Sequence, residues 1–197
     1  THSETRPSVS RRAPSSRLAG IIIALLIGVS GLDAHQVDQL RINAGIELFP
    51  SFIAADLDIA DKTDRDVNLL LLLVHQANKH LAVHLAAALA KVERIRDRLI
   101  RVRIVSVEAL TDYPDPRPAG IFIAEHLTDE ALDTVLAYGQ EAGVLVISPH
   151  MGDVEYGVSG GISVSDRILP YVNMRALDAG GIRLKPFFLR ITQKYGE

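Results

Sequence analysis

The sequence predicts a mixed, mainly parallel α/β sheet with helices on both faces and a C-terminal antiparallel hairpin. Three observations predict this fold. Short, continuous apolar runs at 67–74, 119–124 and 143–148 are typical of strands buried on both faces. Helical patterns lie between these runs, as in a doubly wound sheet. Two further apolar segments near the C terminus are separated by only a short polar turn, as in a hairpin.

Composition excludes several classes of function. The chain has 197 residues, a net charge of −3 and no Cys. The charge gives no overall basic surface for nucleic acid, and the absence of Cys excludes disulfides, thiolate zinc sites and thiol catalysis. We therefore expect no nucleic-acid partner, no metal site and no cofactor.

Residues 1–34 are predicted to be a signal peptide and leader, and residues 35–197 a single α/β domain. Arg11, Arg12 and Arg17 precede an apolar run at 18–29, which is shorter than the roughly 20 residues that span a bilayer. Cleavage after Gly31 or Ala34 fits this pattern. The leader predicts a periplasmic protein; a buried N-terminal helix and an uncleaved anchor are the alternatives.

The first helix is predicted over 36–54, where Pro50 should kink or end it near Phe49. The Asp-rich segment 55–66 is interpreted as a solvated loop. A calcium loop is the alternative, but the acids lack the required spacing and no Gly makes the turn.

After the strand at 67–74, a helix is predicted from about Asn78. His80 and His84 lie one turn apart on this helix. They could hold a metal ion, but no third ligand follows from the sequence, so solvent-facing histidines are the favoured interpretation.

The Arg-rich segment 93–103 is interpreted as a solvated helix end that continues into a half-buried strand. No aromatic residues are interleaved for stacking on bases. Thr128 is predicted to cap the next helix, which should run to Tyr138 and end at Gly139.

A ligand in such a fold lies beyond the carboxyl ends of the parallel strands. His75, His126 and His150 all lie near those predicted ends. No nucleophile elbow or phosphate loop accompanies them, and Ser148 lies in no G-x-S-x-G motif, so we do not expect an enzyme.

The closing stretch is predicted to contain a hairpin from Val158 to Val172, with its turn at 165–167. Pro170 restricts the return strand to an edge position. Asn173 should cap a helix over 174–179, Gly180 and Gly181 should end it, and Pro186 should open a last helix.

These closing residues resemble the YfiR-like family of bacterial periplasmic proteins. The motif residues that carry the resemblance are Gly160-Gly161-Ile162, Asn173-Met174-Arg175-Ala176, Gly181-Ile182-Arg183-Leu184 and Leu189-Arg190-Ile191. The chain departs from the family pattern at Asp166-Arg167 in the turn, at Pro170, and in having no cysteines.

The resemblance implies a periplasmic regulator that binds the sensor domain of an inner-membrane diguanylate cyclase and represses it. Such a protein lowers cyclic di-GMP and biofilm formation by shifting the population of the cyclase. A homodimer is also compatible with the sequence. The alternative function is a periplasmic protein that binds or senses a small anion.

A candidate anion site is predicted at the entry to the last helix. Arg183, Lys185 and Arg190 form a basic cluster around Pro186, and the amides of a helix N terminus favour an anion. A solvated charged turn is the alternative interpretation.

Overall fold

The computed structural model describes residues 34–113 and 116–197. The predicted leader at 1–34 lies outside the described residues except for Ala34. Residues Val37–Glu197 form one compact unit, which contains the sheet. No helix in the described residues is long and apolar enough to cross a membrane.

One eight-stranded sheet organises the domain, in the order β2-β3-β1-β4-β5-β6-β7-β8. Its strands are β1 (Leu69–His75), β2 (Arg94–Ile95), β3 (Arg98–Ser106), β4 (Gly120–Ile123), β5 (Leu145–Ser148), β6 (Gly160–Val164), β7 (Ile168–Asn173) and β8 (Gln193–Tyr195). The α-helices are α1 (Ala34–Ala55), α2 (Lys79–Leu89), α3 (Val107–Leu110), α4 (Asp129–Ala142), α5 (Asp153–Tyr156), α6 (Met174–Ala179) and α7 (Pro186–Ile191). Two 3₁₀ turns, Ile59–Lys62 and Ala90–Val92, complete the fold.

The predicted mixed, mainly parallel sheet is confirmed. Strands β3, β1, β4, β5 and β6 run parallel, whereas β2 is antiparallel to β3 and β7 is antiparallel to β6. The hairpin pairs Gly160 with Val172 and Val164 with Ile168, as predicted. Strand β7 is not wholly an edge, because β8 pairs with it from Tyr171 onward. Pro170 lies just before that pairing, where no ladder bond is needed from its nitrogen.

The core has two halves, one on each face of the sheet. Leu69, Leu71 and Leu73 of β1 pack with apolar residues of α1, α2 and α7. Leu70 and Leu72 of the same strand pack on the other face with α3 and α4. All seven residues of β1 are buried, so the continuous apolar run correctly predicted a strand covered on both faces.

The sequence predicts that Pro50 kinks or ends the first helix; that it ends the helix is wrong, and a kink stays a prediction. Helix α1 continues through Pro50 to Ala55. Phe49, Phe52 and Ile53, on either side of the proline, are fully buried. The Phe49 and Phe122 ring centroids are 5.5 Å apart, and those of Phe52 and Phe188 are 5.2 Å apart. Tertiary packing of this segment therefore outweighs the lost backbone hydrogen bond.

The prediction that Gly139 ends the next helix is also wrong. Helix α4 passes Gly139 and ends at Gly143, which has a φ of +59° and adopts the left-handed conformation of a helix C-cap. A Cβ atom at Gly139 would lie 2.4 Å from Cγ2 of Val146. Gly139 is therefore a contact point between helix and strand.

The predicted caps Thr128 and Asn173 are confirmed, because their side chains accept hydrogen bonds from backbone amides in the first turns of α4 and α6. Asn78, at the predicted start of its helix, caps α2 in the same way. His80 and His84 are exposed, as the favoured interpretation required. No group of three or more potential ligands that could hold a metal ion occurs in residues 34–113 and 116–197.

The Asp-rich segment is not a solvated loop. Asp56 and Lys62 form a buried ion pair at 2.5 Å, with side chains 1% and 2% exposed. Asp58 accepts a hydrogen bond at 3.0 Å from Nε of Arg183 in the C-terminal segment. The acids of this segment thus hold the chain together across a large sequence distance.

Candidate functional site

The carboxyl ends of β1 and β4 meet where the strand order reverses, which is where such folds bind ligands. Here a side chain of the protein fills that position. Oε1 of Glu125 accepts hydrogen bonds from the backbone amides of Gln76, Ala77 and Asn78 at 2.8, 2.8 and 2.7 Å. These converging amides at the start of α2 form an anion-binding nest, and the Glu125 carboxylate occupies it.

A reciprocal pair of hydrogen bonds lies beside the amide nest. Nε2 of Gln76 donates to Oγ1 of Thr128 at 3.2 Å, and the Thr128 amide donates back to Oε1 of Gln76 at 3.1 Å. The loops after β1 and β4 are therefore joined to each other. The usual ligand position of the fold is occupied by the protein itself.

Two of the three predicted histidines meet at the end of β5. The His126 and His150 ring centroids are 4.0 Å apart with the planes tilted by 34°. Burial, together with the nearby His126 and Arg41, lowers the pKa of His150 to about 3. His150 is 6% exposed and its Nε2 has no hydrogen-bond partner in the described residues. His150 is therefore a neutral side chain at physiological pH.

Around His150 the polar groups are bonded mainly to each other. Oγ of Ser148 donates to Oδ2 of Asp153 at 2.5 Å, and Ser148 is fully buried. Burial raises the pKa of Asp153. Arg41 of α1 donates to the carbonyls of Pro149 and Ile162 at 2.9 and 3.0 Å. This arrangement ties α1 to two strands and leaves no exposed nucleophile.

A small cavity of about 170 Å³ lies next to this cluster. Arg41, His150, Glu155 and Tyr171 contribute to its wall. The Tyr171 hydroxyl donates to Oε1 of Glu155 at 3.0 Å, and burial together with this carboxylate raises the pKa of Tyr171 to about 12. The cavity is smaller than the ~300 Å³ at which small-molecule pockets usually begin.

A larger groove of about 420 Å³ lies between α4, α5 and α6, and we call it the Arg175 groove. Small residues keep it open: Gly139, Gly157, Ser159, Ala176, Ala179 and Gly180. Polar groups also line it: Gln140, Glu155, Tyr156, Asn173, Arg175 and Tyr195. Its volume lies within the usual range for a small-molecule pocket.

Arg175 is the cation of this groove. It is exposed and has no hydrogen-bond or ion-pair partner in the described part of the chain. Two other polar groups of the wall are already paired, since the Tyr156 hydroxyl donates to Asp133 and Glu155 accepts from Tyr171, both at 3.0 Å. Arg175 is therefore the group most available to bind an anion, because a guanidinium offers up to five donors in a planar fork.

Asn173 joins two walls of the groove. Its Oδ1 accepts a hydrogen bond from the Ala176 amide at the start of α6, and its Nδ2 donates to the carbonyl of Val154 in α5 at 2.7 Å. Asn173 is 4% exposed. Both ends of one amide are used, so the position of α6, and with it Arg175, depends on α5.

The three residues of the predicted anion site make different contacts. Arg183 makes a paired interaction with Asp58, whose carboxylate raises the pKa of Arg183. Lys185 lies 5.8 Å from the Phe187 ring centroid, and Arg190 is exposed in the last turn of α7. Anion binding by Arg183, Lys185 and Arg190 stays a prediction.

Sequence reasoning missed two features of the site. It identified the histidines at the carboxyl ends of the strands. It did not identify the Glu125 carboxylate in the amide nest, because that contact depends on which strands are neighbours. It quoted Arg175 only as part of a motif. The signal that could have singled it out was its position two residues after a helix-capping Asn, beside a run of small residues.

No family model matches the sequence, and no curated protein matches it. Two solved structures are similar in fold. The ABC domain from Streptococcus pneumonia in complex with L-Trp has 11% identity and a TM-score of 0.50, over 78% of this chain and 61% of that one. The ligand-free, open structure of CD0873 from Clostridium difficile, a substrate binding protein with adhesive properties, has 12% identity and a TM-score of 0.53, over 78% of this chain and 59% of that one.

This chain therefore spans about three fifths of the length of either neighbour. At such low identity the likeness concerns the fold alone. The shared feature is the mainly parallel α/β sheet described above.

Proposed function

We propose that the domain binds a small anionic molecule in the Arg175 groove and acts as a binding or sensing protein, not as an enzyme. The observation that carries this proposal is the unpaired Arg175 in a groove of about 420 Å³. An uncommitted guanidinium beside small residues offers charge-assisted hydrogen bonds to a carboxylate or phosphate without steric obstruction.

The other candidate positions support the choice of this groove. The nest at the end of β1 holds Glu125, and Arg183 of the predicted anion site is paired with Asp58. Arg175 has no such internal competitor in the described residues. One fold neighbour is described in complex with L-Trp and the other as a substrate binding protein, which agrees with a binding role.

Binding would have a route to a structural response. Because Asn173 bonds both α5 and α6, a ligand held by Arg175 on α6 would restrain α5 as well. Helix α5 also carries Val154 and Glu155, which line the His150 cavity. A sensor needs such a coupling between its ligand and a second surface.

Ligand-dependent thermal unfolding of the purified chain tests the proposal. The probes are acetate, succinate, citrate and inorganic phosphate, with chloride at matched ionic strength as the reference. A ligand present at 100 times its Kd stabilises the folded state by about 2.7 kcal/mol. We expect at least one probe to raise the Tm in the wild type and to lose that effect in Arg175→Gln.

Arg167→Gln is the matched control, since Arg167 is also exposed and unpaired in the described residues but lies in the hairpin turn away from the groove. It should respond to the probes as the wild type does. Equal responses of Arg175→Gln and the wild type, or no response to any probe, would reject the proposal.

A second candidate function is repression of an inner-membrane diguanylate cyclase by a periplasmic protein of the YfiR-like type. The observation that favours it is that hairpin, Asn173 cap, glycine turn and last helix follow one another as that family's pattern implies. The same proposal includes export of the protein to the periplasm by a signal peptide within residues 1–34. Co-expression with a candidate cyclase should lower cellular cyclic di-GMP, and an unchanged level with every co-encoded cyclase would count against it.

A further inference from the structure

A cationic surface lies at the end of the sheet opposite the histidines, and we call it the hairpin surface. It consists of residues 91–103 and the preceding loop 63–67, which packs beside β3. Between Lys91 and Arg103 the sequence has six cationic and two acidic residues, although the whole chain has a net charge of −3. Positive charge is thus concentrated on one structural element, the turn and the two strands β2 and β3.

The arginines of the surface differ in their contacts. Nε and Nη2 of Arg96 and Nε of Arg98 are buried and have no hydrogen-bond partner in the described residues. Arg94 donates to the carbonyl of Asp97, and Arg103 donates to the Tyr113 hydroxyl. Only Arg101 among these arginines forms an ion pair in the described residues, so the positive charge of the others favours an anionic partner.

Exposed apolar side chains surround the arginines. Val67, Val92 and Leu99 are 57%, 40% and 47% exposed. Leu99 pairs across the hairpin with Arg94, and Val67 lies two residues before Leu69, whose strand neighbour is Ile100. The surface therefore combines positive charge with apolar groups that the domain itself does not cover.

Residues with positive φ also occur at this surface. In the described part of the chain, the non-glycine residues with positive φ are Val67, Glu93, Arg96 and Asp97, and all four belong to the hairpin surface. Arg96 and Asp97 form the two-residue turn between β2 and β3, where positive φ at both positions is the usual geometry. Val67 has a φ of +63°, which is costly for a β-branched residue, so the backbone strain lies at Val67.

We propose that the hairpin surface docks the domain onto an anionic lipid bilayer. Headgroup phosphates are attracted by the positive charge of the surface, and the boundary between headgroups and acyl chains accepts the exposed valines and leucine. An acidic polypeptide would supply negative charge but no apolar environment for the exposed valines and leucine. Strand addition at β2 would give little pairing, because β2 has two residues. Docking is independent of what the Arg175 groove binds.

The test uses an environment-sensitive dye on a single cysteine, which is unique because the chain has no natural Cys. Leu99→Cys carries the dye on the hairpin surface. Ile168→Cys carries it at a comparably exposed position in the distant hairpin β6–β7, since Ile168 is 38% exposed. The full chain is titrated with phosphatidylglycerol vesicles and with phosphatidylcholine vesicles.

We expect a blue shift at position 99 with phosphatidylglycerol and none with phosphatidylcholine, and no shift at position 168. About 0.5 M salt should reverse the shift, because the Debye length falls to a few Å. Each basic residue near an anionic surface contributes about fivefold to the partition coefficient, so Arg96→Gln with Arg98→Gln should weaken binding about 25-fold. Arg167→Gln, on the same labelled background, should leave binding unchanged.

Local readout at position 99 separates docking of this surface from any association of the N-terminal residues with vesicles. Unchanged circular dichroism of the double variant shows that its loss of binding is not loss of folding. Equal shifts with both lipids, an unaffected double variant, or a shift with polyglutamate in the absence of any shift with vesicles would overturn the proposal.

Discussion

The buried, neutral His150 predicts that the domain loses stability on mild acidification. Its pKa is lowered to about 3 in the folded state, whereas an unfolded His titrates near 6.5. When the pH falls below 6.5, the unfolded chain takes up a proton that the folded chain does not. Stability is therefore lost as the pH falls, and the loss continues until the folded pKa is reached.

The size of the effect follows from the pKa difference. At pH 5.0 the pH is about 1.5 units below the pKa of the unfolded histidine. Between pH 7.5 and pH 5.0, proton binding at this site therefore stabilises the unfolded state by about 2 kcal/mol. Asp153, whose pKa is raised by burial, acts in the opposite direction, since it stabilises the folded state as the pH falls. Asp58, Asp64 and Glu108 have lowered pKa values and lose their contributions only below about pH 4.5.

The measurement is urea unfolding of the wild type and of His150→Gln at several pH values between 5.0 and 7.5, followed by far-ultraviolet circular dichroism. The wild type should lose about 2 kcal/mol more than the variant over this interval. For an m-value of about 2 kcal/mol/M that difference is a shift of about 1 M in the midpoint. Parallel pH dependence of the two proteins would refute the reasoning, whatever their absolute stabilities.

Three further predictions concern stability and are measured by the same unfolding assay. Asn173→Ala should cost about 3 kcal/mol, because it removes a helix cap and leaves a buried carbonyl unpaired; Asn173→Ser should keep the cap and lose only the donor, so equal costs would contradict this account. Gly139→Ala should destabilise by about 1–3 kcal/mol despite the better helix propensity of Ala, and Val146→Ala should relieve that cost; a stabilised single variant would disprove the contact. Lys62→Met should cost about 3–5 kcal/mol by leaving Asp56 buried without its counter-ion, and adding Asp56→Asn should recover much of it; a neutral single variant would show that the pair is not buried in solution.

Much of the fold follows from local sequence patterns. From Leu69 to Val74 the run that forms β1 has no polar residue to face solvent, which favours a strand buried on both faces. Asn78, Thr128 and Asn173 precede helical patterns and offer side-chain oxygen atoms to free amides, which fixes where α2, α4 and α6 begin. The hairpin at the C terminus follows from two short apolar segments and a polar turn.

The helix ends did not follow from local patterns. Proline and glycine disfavour a helix interior by a few kcal/mol at most, and burial of several large side chains exceeds that cost. Phe52 and Ile53 extend α1 past Pro50 because they pack against the sheet, and Gly139 stays within α4 because Val146 lies against it. Such contacts depend on which strand is beside which helix.

By itself, the sequence determined the mixed, mainly parallel sheet, the caps and the C-terminal hairpin, because each depends on residues that are near one another in the chain. Only the tertiary structure decided which polar groups remain available. It brought Asp58 to Arg183, Glu125 to the amides after β1, and His126 to His150, while it left Arg175 unpaired in its groove. Charges far apart in sequence pair or stay free according to strand order, and strand order is not encoded in any short segment.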